Sequence, residues 1–274
     1  MPRVLSGRVA LVTGGGRGLG RSIVLGLVAA GARVVVTAAR EAEEIEAVVR
    51  EAGEDWSATA VVADVTRAAD CQKTVEAAID RFGRIDILVN NAARGTACGN
   101  ATATARSCRF WEVDPRLRRL VMDTNVNGPL LMAQAALPYL TRAGWGRIVN
   151  ISMDWATMRQ AGSSPYGPSK AALEFETAIW AKDLEGTGVT VNAVSPGAPL
   201  RNGTPTAPRL GRRQANLLET DIVMPPLLWL LSGAADFVTG KRLLATRWRT
   251  DVDPAIAAAG ATEDAGRGID QAAA

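Results

Sequence analysis

Apolar positions along the chain fall into two kinds of stretch that alternate: short unbroken runs, and longer segments in which they recur at helical spacing. Val9 to Val12 is the first run; a glycine turn follows it, and Ser22 to Ala30 then reads as a helix ended by Gly31. The β-branched run Arg33 to Thr37 predicts a second strand, and Glu41 to Ala52 a second helix. The alternation continues with strand Ala58 to Ala63, helix Ala68 to Phe82 and strand Ile85 to Asn90. Ala93 to Cys108 is a Gly/Ala/Thr-rich loop without periodicity. After it come a long helix over Leu117 to Leu140, a strand at Arg147 to Ser152, a helix at Tyr166 to Leu184 and a strand at Val189 to Val194. Ser195 to Arg213, rich in Pro, Gly and Thr, predicts a mobile connection. Helix Asn216 to Leu231 and strand Lys241 to Ala245 close the pattern.

Strands apolar on both faces, each followed by a helix, have to lie in a parallel sheet covered by helices on both sides. The expected fold is therefore α/β: a single-domain, doubly wound, mostly parallel seven-stranded sheet of the Rossmann type over residues 1–250, with substrate loops at about 93–109 and 195–215. Residues 251–274 form an Ala/Gly-rich tail expected to be poorly ordered. In such a sheet ligands bind outside the carboxyl ends of the strands, where the strand order reverses. Gly14 to Gly20, Asp64, Asn90-Asn91, Ser152 and Pro196-Gly197 all fall at those ends.

Composition narrows the chemistry. The 274 residues, enough for one large domain, include no histidine, which excludes a Ser-His-Asp triad and histidine-ligated metal; no metal site is expected. Three cysteines (Cys71, Cys98, Cys108) make no disulfide framework, and no signal-peptide pattern precedes the first strand, so a reducing cytoplasm is the expected compartment. The longest apolar stretch, Ile222 to Leu231, is about half of the ~20 residues a membrane span needs and contains Pro225-Pro226, so no membrane partner is expected. Net charge is +3, with 27 arginines against 4 lysines. The densest arginine cluster (Arg94, Arg106, Arg109, Arg116, Arg118, Arg119) interleaves with Glu112 and Asp114 and reads as a solvated face rather than a nucleic-acid surface.

The glycine turn, Thr13-Gly14-Gly15-Gly16-Arg17-Gly18-Leu19-Gly20, opens a helix whose unpaired N–H groups suit an anion. A dinucleotide's diphosphate is the natural occupant, and the end of the second strand then faces its adenosine ribose. An acidic residue there would bind a free 2′-hydroxyl, but the chain reads Thr37-Ala38-Ala39-Arg40. Arg17 and Arg40 together make a cationic clamp for a 2′-phosphate, so NADP is expected rather than NAD. Glu41, Glu43 and Glu44 compete for Arg40.

Tyr166-Gly167-Pro168-Ser169-Lys170 places a phenol and an ammonium at i and i+4 on one helix face. A free tyrosine with a pKa of about 10 holds its proton too tightly for exchange near neutrality; an adjacent lysine cation stabilises the phenolate and permits acid or base work on a carbonyl or alcohol oxygen. Pro168 restricts the pair to the first helical turn.

With these motifs in this order the chain resembles the short-chain dehydrogenase/reductase family over about residues 6 to 250. The resemblance makes Gly14, Arg17, Gly18, Leu19 and Gly20 the cofactor turn, Asp64-Val65 the adenine contact, Asn91 and Ala92 part of the strand-four motif, and Pro196-Gly197 the nicotinamide-side turn. It implies that Tyr166 exchanges a proton with the substrate oxygen, that Lys170 binds the nicotinamide ribose and lowers the tyrosine pKa, and that Asn125 holds a water in a proton relay. Three positions depart from the family pattern. Ala93 replaces its glycine, Arg201 stands where a threonine is expected with Thr204 nearby, and Met153 occupies the catalytic serine position thirteen residues before the tyrosine. A thioether donates no hydrogen bond. Ser152 is the substitute named as catalytic, which requires a bulge to turn it inward; Ser163 and Ser164 are the other donors.

The expected reaction is interconversion of a ketone and a secondary alcohol with NADP, on a substrate that is bulky or aromatic if Phe110, Trp111, Met153, Trp155 and Met158 line the pocket rather than the core. Arg201, Arg209, Arg212 and Arg213 read as solvated lid charges, with attraction of an acidic substrate as the alternative. Two other functions stay open: a dinucleotide-binding sensor or partner protein with little turnover, and a non-redox dehydratase or isomerase. The resemblance also implies a homodimer or homotetramer.

Overall fold

The computed structural model describes residues 3–53, 57–95, 109–197 and 219–266. Its elements follow in the order β1 (Val9–Thr13), α1 (Gly18–Ala29), β2 (Arg33–Ala38), α2 (Ala42–Glu51), β3 (Ala58–Val62), α3 (Ala68–Phe82), β4 (Ile87–Asn90), α4 (Pro115–Met122), α5 (Gly128–Arg142), β5 (Gly146–Ile151), α6 (Trp155–Met158), α7 (Tyr166–Asp183), β6 (Val189–Ser195), α8 (Met224–Leu230), β7 (Lys241–Leu244), α9 (Pro254–Ala261) and β8 (Thr262–Asp264). The strands form one sheet in the order β3-β2-β1-β4-β5-β6-β7-β8. All neighbours pair in parallel except β7 and β8. The chain leaves β1 toward β2 and β3, then returns to place β4 on the other side of β1, so the strand order reverses between β1 and β4.

Alternation along the strands sends side chains into two apolar layers. Ala10, Val12, Val34 and Val36 pack with Ile23, Val24 and Leu27 of α1 and Ile45 and Val48 of α2 on one face. Val9, Leu11 and Val35 pack with Val75 of α3, Met132 and Ala136 of α5 and Trp180 of α7 on the other. Each fully buried Val, Leu or Ile contributes about 1.5–3 kcal/mol, which fixes the register of every strand and hence the position of the strand ends.

Two expectations need correction. The sheet has eight strands, not seven, because residues 254–264 of the presumed loose tail are built into the fold. Pro254 and the Asp253 cap, which accepts from Ala255 N, start α9; Ala257, Ala258 and Ala261 bury its inner face, and β8 pairs antiparallel with β7. The long helix expected over Leu117 to Leu140 is interrupted by a π turn, Asp123–Asn127, that drives Asn125 fully into the interior. Among the described residues no helix is long and apolar enough to cross a membrane, and no group of His, Cys, Asp or Glu is placed to hold a metal ion. Cys71 is buried, and burial first, with Asp70 and Asp64, pushes its thiol up to about 11; Cys98 and Cys108 lie outside the described residues.

Candidate active site

A cleft of about 650 Å³ opens at the carboxyl ends of β1 to β4, within the usual range for small-molecule sites. It is lined by Gly14, Arg17, Gly18, Leu19 and Gly20 of the turn, by Arg40, by Asp64 and Val65, and by Asn91 and Ala92. Gly14 has φ +64°, and a Cβ on it would come within 2.9 Å of Ala92 Cα. A Cβ on Gly20 would sit 2.1 Å from the Gly14 carbonyl oxygen and 2.6 Å from Asn91 Nδ2, so only glycine lets the turn close this tightly. Asn91 locks it from β4, donating through Nδ2 to the carbonyls of Thr13 and Gly14, both at 2.9 Å. Thr13 Oγ1 accepts from the backbone N–H groups of Asn91 and Ala92. The cap residue of α1, Arg17, makes no side-chain cap, leaving the helix N–H groups free to meet an anion. The cradle therefore fits a dinucleotide.

The side of the cleft beyond β2 and β3 carries both signs of charge. Arg40 is exposed, while Arg17 lies 3.5 Å from Glu44 of α2, so the acidic competitor engages Arg17 rather than Arg40. Asp64 accepts from Thr66 N at 3.0 Å and Thr66 Oγ1 at 2.8 Å. Burial alone would raise its carboxyl, but those two bonds with the charges of Arg94 and Arg40 outweigh it and hold the group below the usual carboxylate range. Val65 is buried against Gly128 at the start of α5, where any Cβ would come within 2.7 Å of Val65 Cγ2. Ala93 has no positive φ, so its methyl is accommodated without backbone strain.

Tyr166 and Lys170 stand on α7. Tyr166 is the first helical residue, which puts Pro168 in the first turn, and the Lys170 ammonium sits 5.8 Å from the Tyr166 ring centroid. Lys170 donates to the Ile151 carbonyl at 2.7 Å. Its complete burial pulls its pKa down to about 8, against the opposing charge of Glu174. Tyr166 runs contrary to the expected depression: burial pushes its phenol up. Asn125 accepts from Arg94 N at 2.7 Å and donates to the Arg94 carbonyl at 3.1 Å and to Ser169 Oγ at 2.9 Å. Ser169 in turn donates to the Tyr166 carbonyl at 2.6 Å, so the π turn, the end of β4 and the first turn of α7 form one buried unit.

Ser152 is placed elsewhere than expected. It is buried, and its hydroxyl donates to Glu174 Oε1 at 2.5 Å. Glu174 lies eight residues beyond Tyr166 on the same helix, about 12 Å along the axis at 1.5 Å per residue. Ser152 directly follows β5, its backbone N–H donating to the Val194 carbonyl at 2.9 Å, and its hydroxyl meets α7 at Glu174, two turns along from the phenol. Met153, thirteen residues before Tyr166, is buried, its carbonyl accepting from Arg242 Nη2 at 3.2 Å. Ser163 packs against the first turn of α7, where its Oγ would lie 2.7 Å from a Cβ on Gly167, and Ser164 is half-buried.

Of the expected pocket residues, Met153 and Met158 are buried, Trp155 stacks over the Arg242 guanidinium at 5.0 Å, and Phe110 and Trp111 are exposed at 73% and 67%. Tyr166, Lys170, Pro196 and Gly197 are not among the residues lining the 650 Å³ cleft. Pro196 and Gly197 directly follow β6, with Gly197 at φ +85°. Arg201, Thr204, Arg209, Arg212, Arg213 and most of the 93–109 loop, Arg106 included, lie outside the described residues. Within the arginine cluster Arg109, Arg116, Arg118 and Arg119 are exposed, as a solvated face requires, whereas Arg94 turns into the cleft.

Sequence reasoning passed over Thr13, Ser169 and Glu174. The first two lay inside quoted motifs, adjacent to residues given roles. Glu174 carried a signal in its spacing, at i+4 from Lys170 on the same face. Asn90 belongs to a further buried ladder, donating to Asn150 Oδ1 at 2.9 Å, with Asn150 donating to Thr177 Oγ1 at 2.9 Å.

The family model described as short chain dehydrogenase matches residues 8–206. A 3-oxoacyl-(acyl-carrier-protein) reductase from Synechocystis is 35% identical over 194 residues, spanning 70% of this chain and 74% of that protein. Its counterpart from Thermotoga maritima is 31% identical over 245 residues, spanning 86% and 95%. The crystal structure of 3-ketoacyl-(acyl-carrier-protein) reductase from Brucella melitensis, complexed with NADH, superimposes with a TM-score of 0.76 at 30% identity, covering 88% of this chain and 97% of that one.

Proposed function

The chain belongs to the short-chain dehydrogenase/reductase family, and from that premise we propose that it reduces a ketone to a secondary alcohol with NADPH, or runs the reverse reaction, with Tyr166 as the proton donor and acceptor. The observation that carries this reading is the joint placement of Tyr166 and Lys170 on the first turns of α7, braced through Ser169 by Asn125. Bound nicotinamide supplies or takes up the hydride. Tyr166 gives its proton to the carbonyl oxygen as negative charge develops there, and Lys170, charged and 5.8 Å from the ring, stabilises the phenolate that remains. Gly14, Gly18, Gly20 and the free N–H groups of α1 hold the diphosphate; Asp64 and Val65 face the adenine. Arg17 and Arg40 favour a 2′-phosphate.

Relatives named as 3-oxoacyl reductases make 3-oxoacyl thioesters the first substrates to offer, beside bulky and aromatic ketones. Loss of NADPH absorbance with any member of that panel supports the reading. A second reading, a dinucleotide-binding protein with little turnover, is favoured by buried Met153 and by the engagement of Ser152 with Glu174. NADPH binding without oxidation across the panel would select it, and a changed product without net redox would select a dehydratase or isomerase. The same reading makes the chain a homo-oligomer, for which Phe175 and Ile179 of α7, exposed at 42% and 52%, supply an apolar face. A monomer mass by light scattering would contradict that.

A further inference from the structure

Arg94 is a cleft side chain that neither the glycine turn nor the catalytic pair accounts for. It follows Asn90-Asn91-Ala92-Ala93, and its backbone is gripped on both sides by Asn125, through Oδ1 at 2.7 Å and Nδ2 at 3.1 Å. The residue is thus anchored to the buried π turn. Its side chain lines the same cleft as the N-terminus of α1, and its Nε is buried with no hydrogen-bond partner among the described residues. A guanidinium N–H stripped of water and left unpaired is costly, and such groups mark places where something else completes the bond.

Resting on the reading of this cleft as a dinucleotide site, we infer that Arg94 is a cofactor-anchoring residue whose guanidinium takes the diphosphate from the β4 side, opposite the uncapped start of α1. The strand order supports the diphosphate over the 2′-phosphate. Arg40 follows β2 on one flank of β1, Arg94 follows β4 on the other, and the glycine turn that leads into α1 rises between them. A planar fork of donors suits two phosphate oxygens at once, which a lysine at this position would not reproduce.

The test is fluorescence titration of NADPH and of NADH into the full-length protein and its Arg94→Ala and Arg94→Lys variants, with Arg40→Ala as the comparator. Thermal melting of each variant checks that it is folded. Arg94→Ala is expected to weaken both dinucleotides by the same factor, roughly tenfold or more from the loss of a charge-assisted bond, with Arg94→Lys in between. Arg40→Ala is expected to weaken NADPH alone. Unchanged dissociation constants in a folded Arg94→Ala variant overturn the inference, and so does a loss confined to NADPH, which would move Arg94 to the 2′-phosphate. If the unmodified protein binds neither dinucleotide, it is the reading of the cleft itself that fails.

Discussion

Asn125 donates through Nδ2 to Ser169 Oγ at 2.9 Å, joining the π turn before α5 to the helix that carries Tyr166 and Lys170. The same amide satisfies the backbone N–H and carbonyl of Arg94, so one buried side chain serves three partners. Its replacement by alanine strands groups that water cannot reach. Asn125→Ala is expected to lower the unfolding free energy by about 2 kcal/mol or more, read from urea denaturation, and to weaken dinucleotide binding by releasing Arg94. A variant as stable as the parent would show that these bonds contribute nothing net.

Ser152 and Met153 should separate cleanly. Because the Ser152 hydroxyl is bonded to Glu174, Ser152→Ala is expected to cost about 1–3 kcal/mol of stability while leaving kcat within a fewfold of the parent. Met153→Ser places a donor thirteen residues before Tyr166 and is expected to raise kcat at least tenfold, since one polarising donor is worth about 100- to 1000-fold. A collapse of kcat in Ser152→Ala would return Ser152 to the reacting centre.

Lys170 gives a pH signature. Its folded pKa is lowered from 10.5 to about 8, so between those values the unfolded chain binds more protons and stability rises with pH. The burial of the cation is fully unfavourable below about pH 8 and is relieved as pH climbs toward 10.5. Lys170→Met removes this group, and the parent is expected to gain stability relative to it across that window, by roughly 3 kcal/mol at most. In ketone reduction the parent rate is expected to fall as pH rises through about 8, where the ammonium beside the phenol is lost. A flat stability difference between pH 8 and 10.5 would contradict the assignment.

The closeness of the glycine turn is open to the same treatment. Gly20→Ala inserts a methyl 2.1 Å from the Gly14 carbonyl oxygen, so the backbone of the turn has to shift. Dinucleotide affinity is expected to drop at least tenfold, measured by titration, with a folded melting curve retained. Unaltered affinity would mean that the turn is not the cradle.

Much of the fold and of the cleft is legible in the sequence. Both-face apolar runs such as Val9 to Val12 admit a parallel sheet and little else, and the strand ends then put Gly14, Asp64 and Asn91 in one cleft. The π turn was not readable, because one extra residue in a helical repeat barely disturbs the apolar spacing around Asn125. Composition misled at the C-terminus: Ala257, Ala258 and Ala261 look featureless, yet small residues let α9 pack closely, and the polar triplet Thr262-Glu263-Asp264 carries no strand pattern. Regular alternation already argued against Ser152 as the catalytic donor that the sequence reading named, and its partner Glu174, two helical turns beyond the tyrosine, shows only in three dimensions.

The most direct measurement compares NADPH oxidation by the parent and by Tyr166→Phe, with 3-oxoacyl thioesters and aromatic ketones as acceptors and with cofactor binding measured in parallel. The expected result is turnover by the parent and a loss of about 100- to 10,000-fold in the variant, with the NADPH dissociation constant little changed. Equal turnover without the phenol, or no oxidation by the parent of any carbonyl offered while NADPH is bound, would contradict the assignment of Tyr166 as the proton donor.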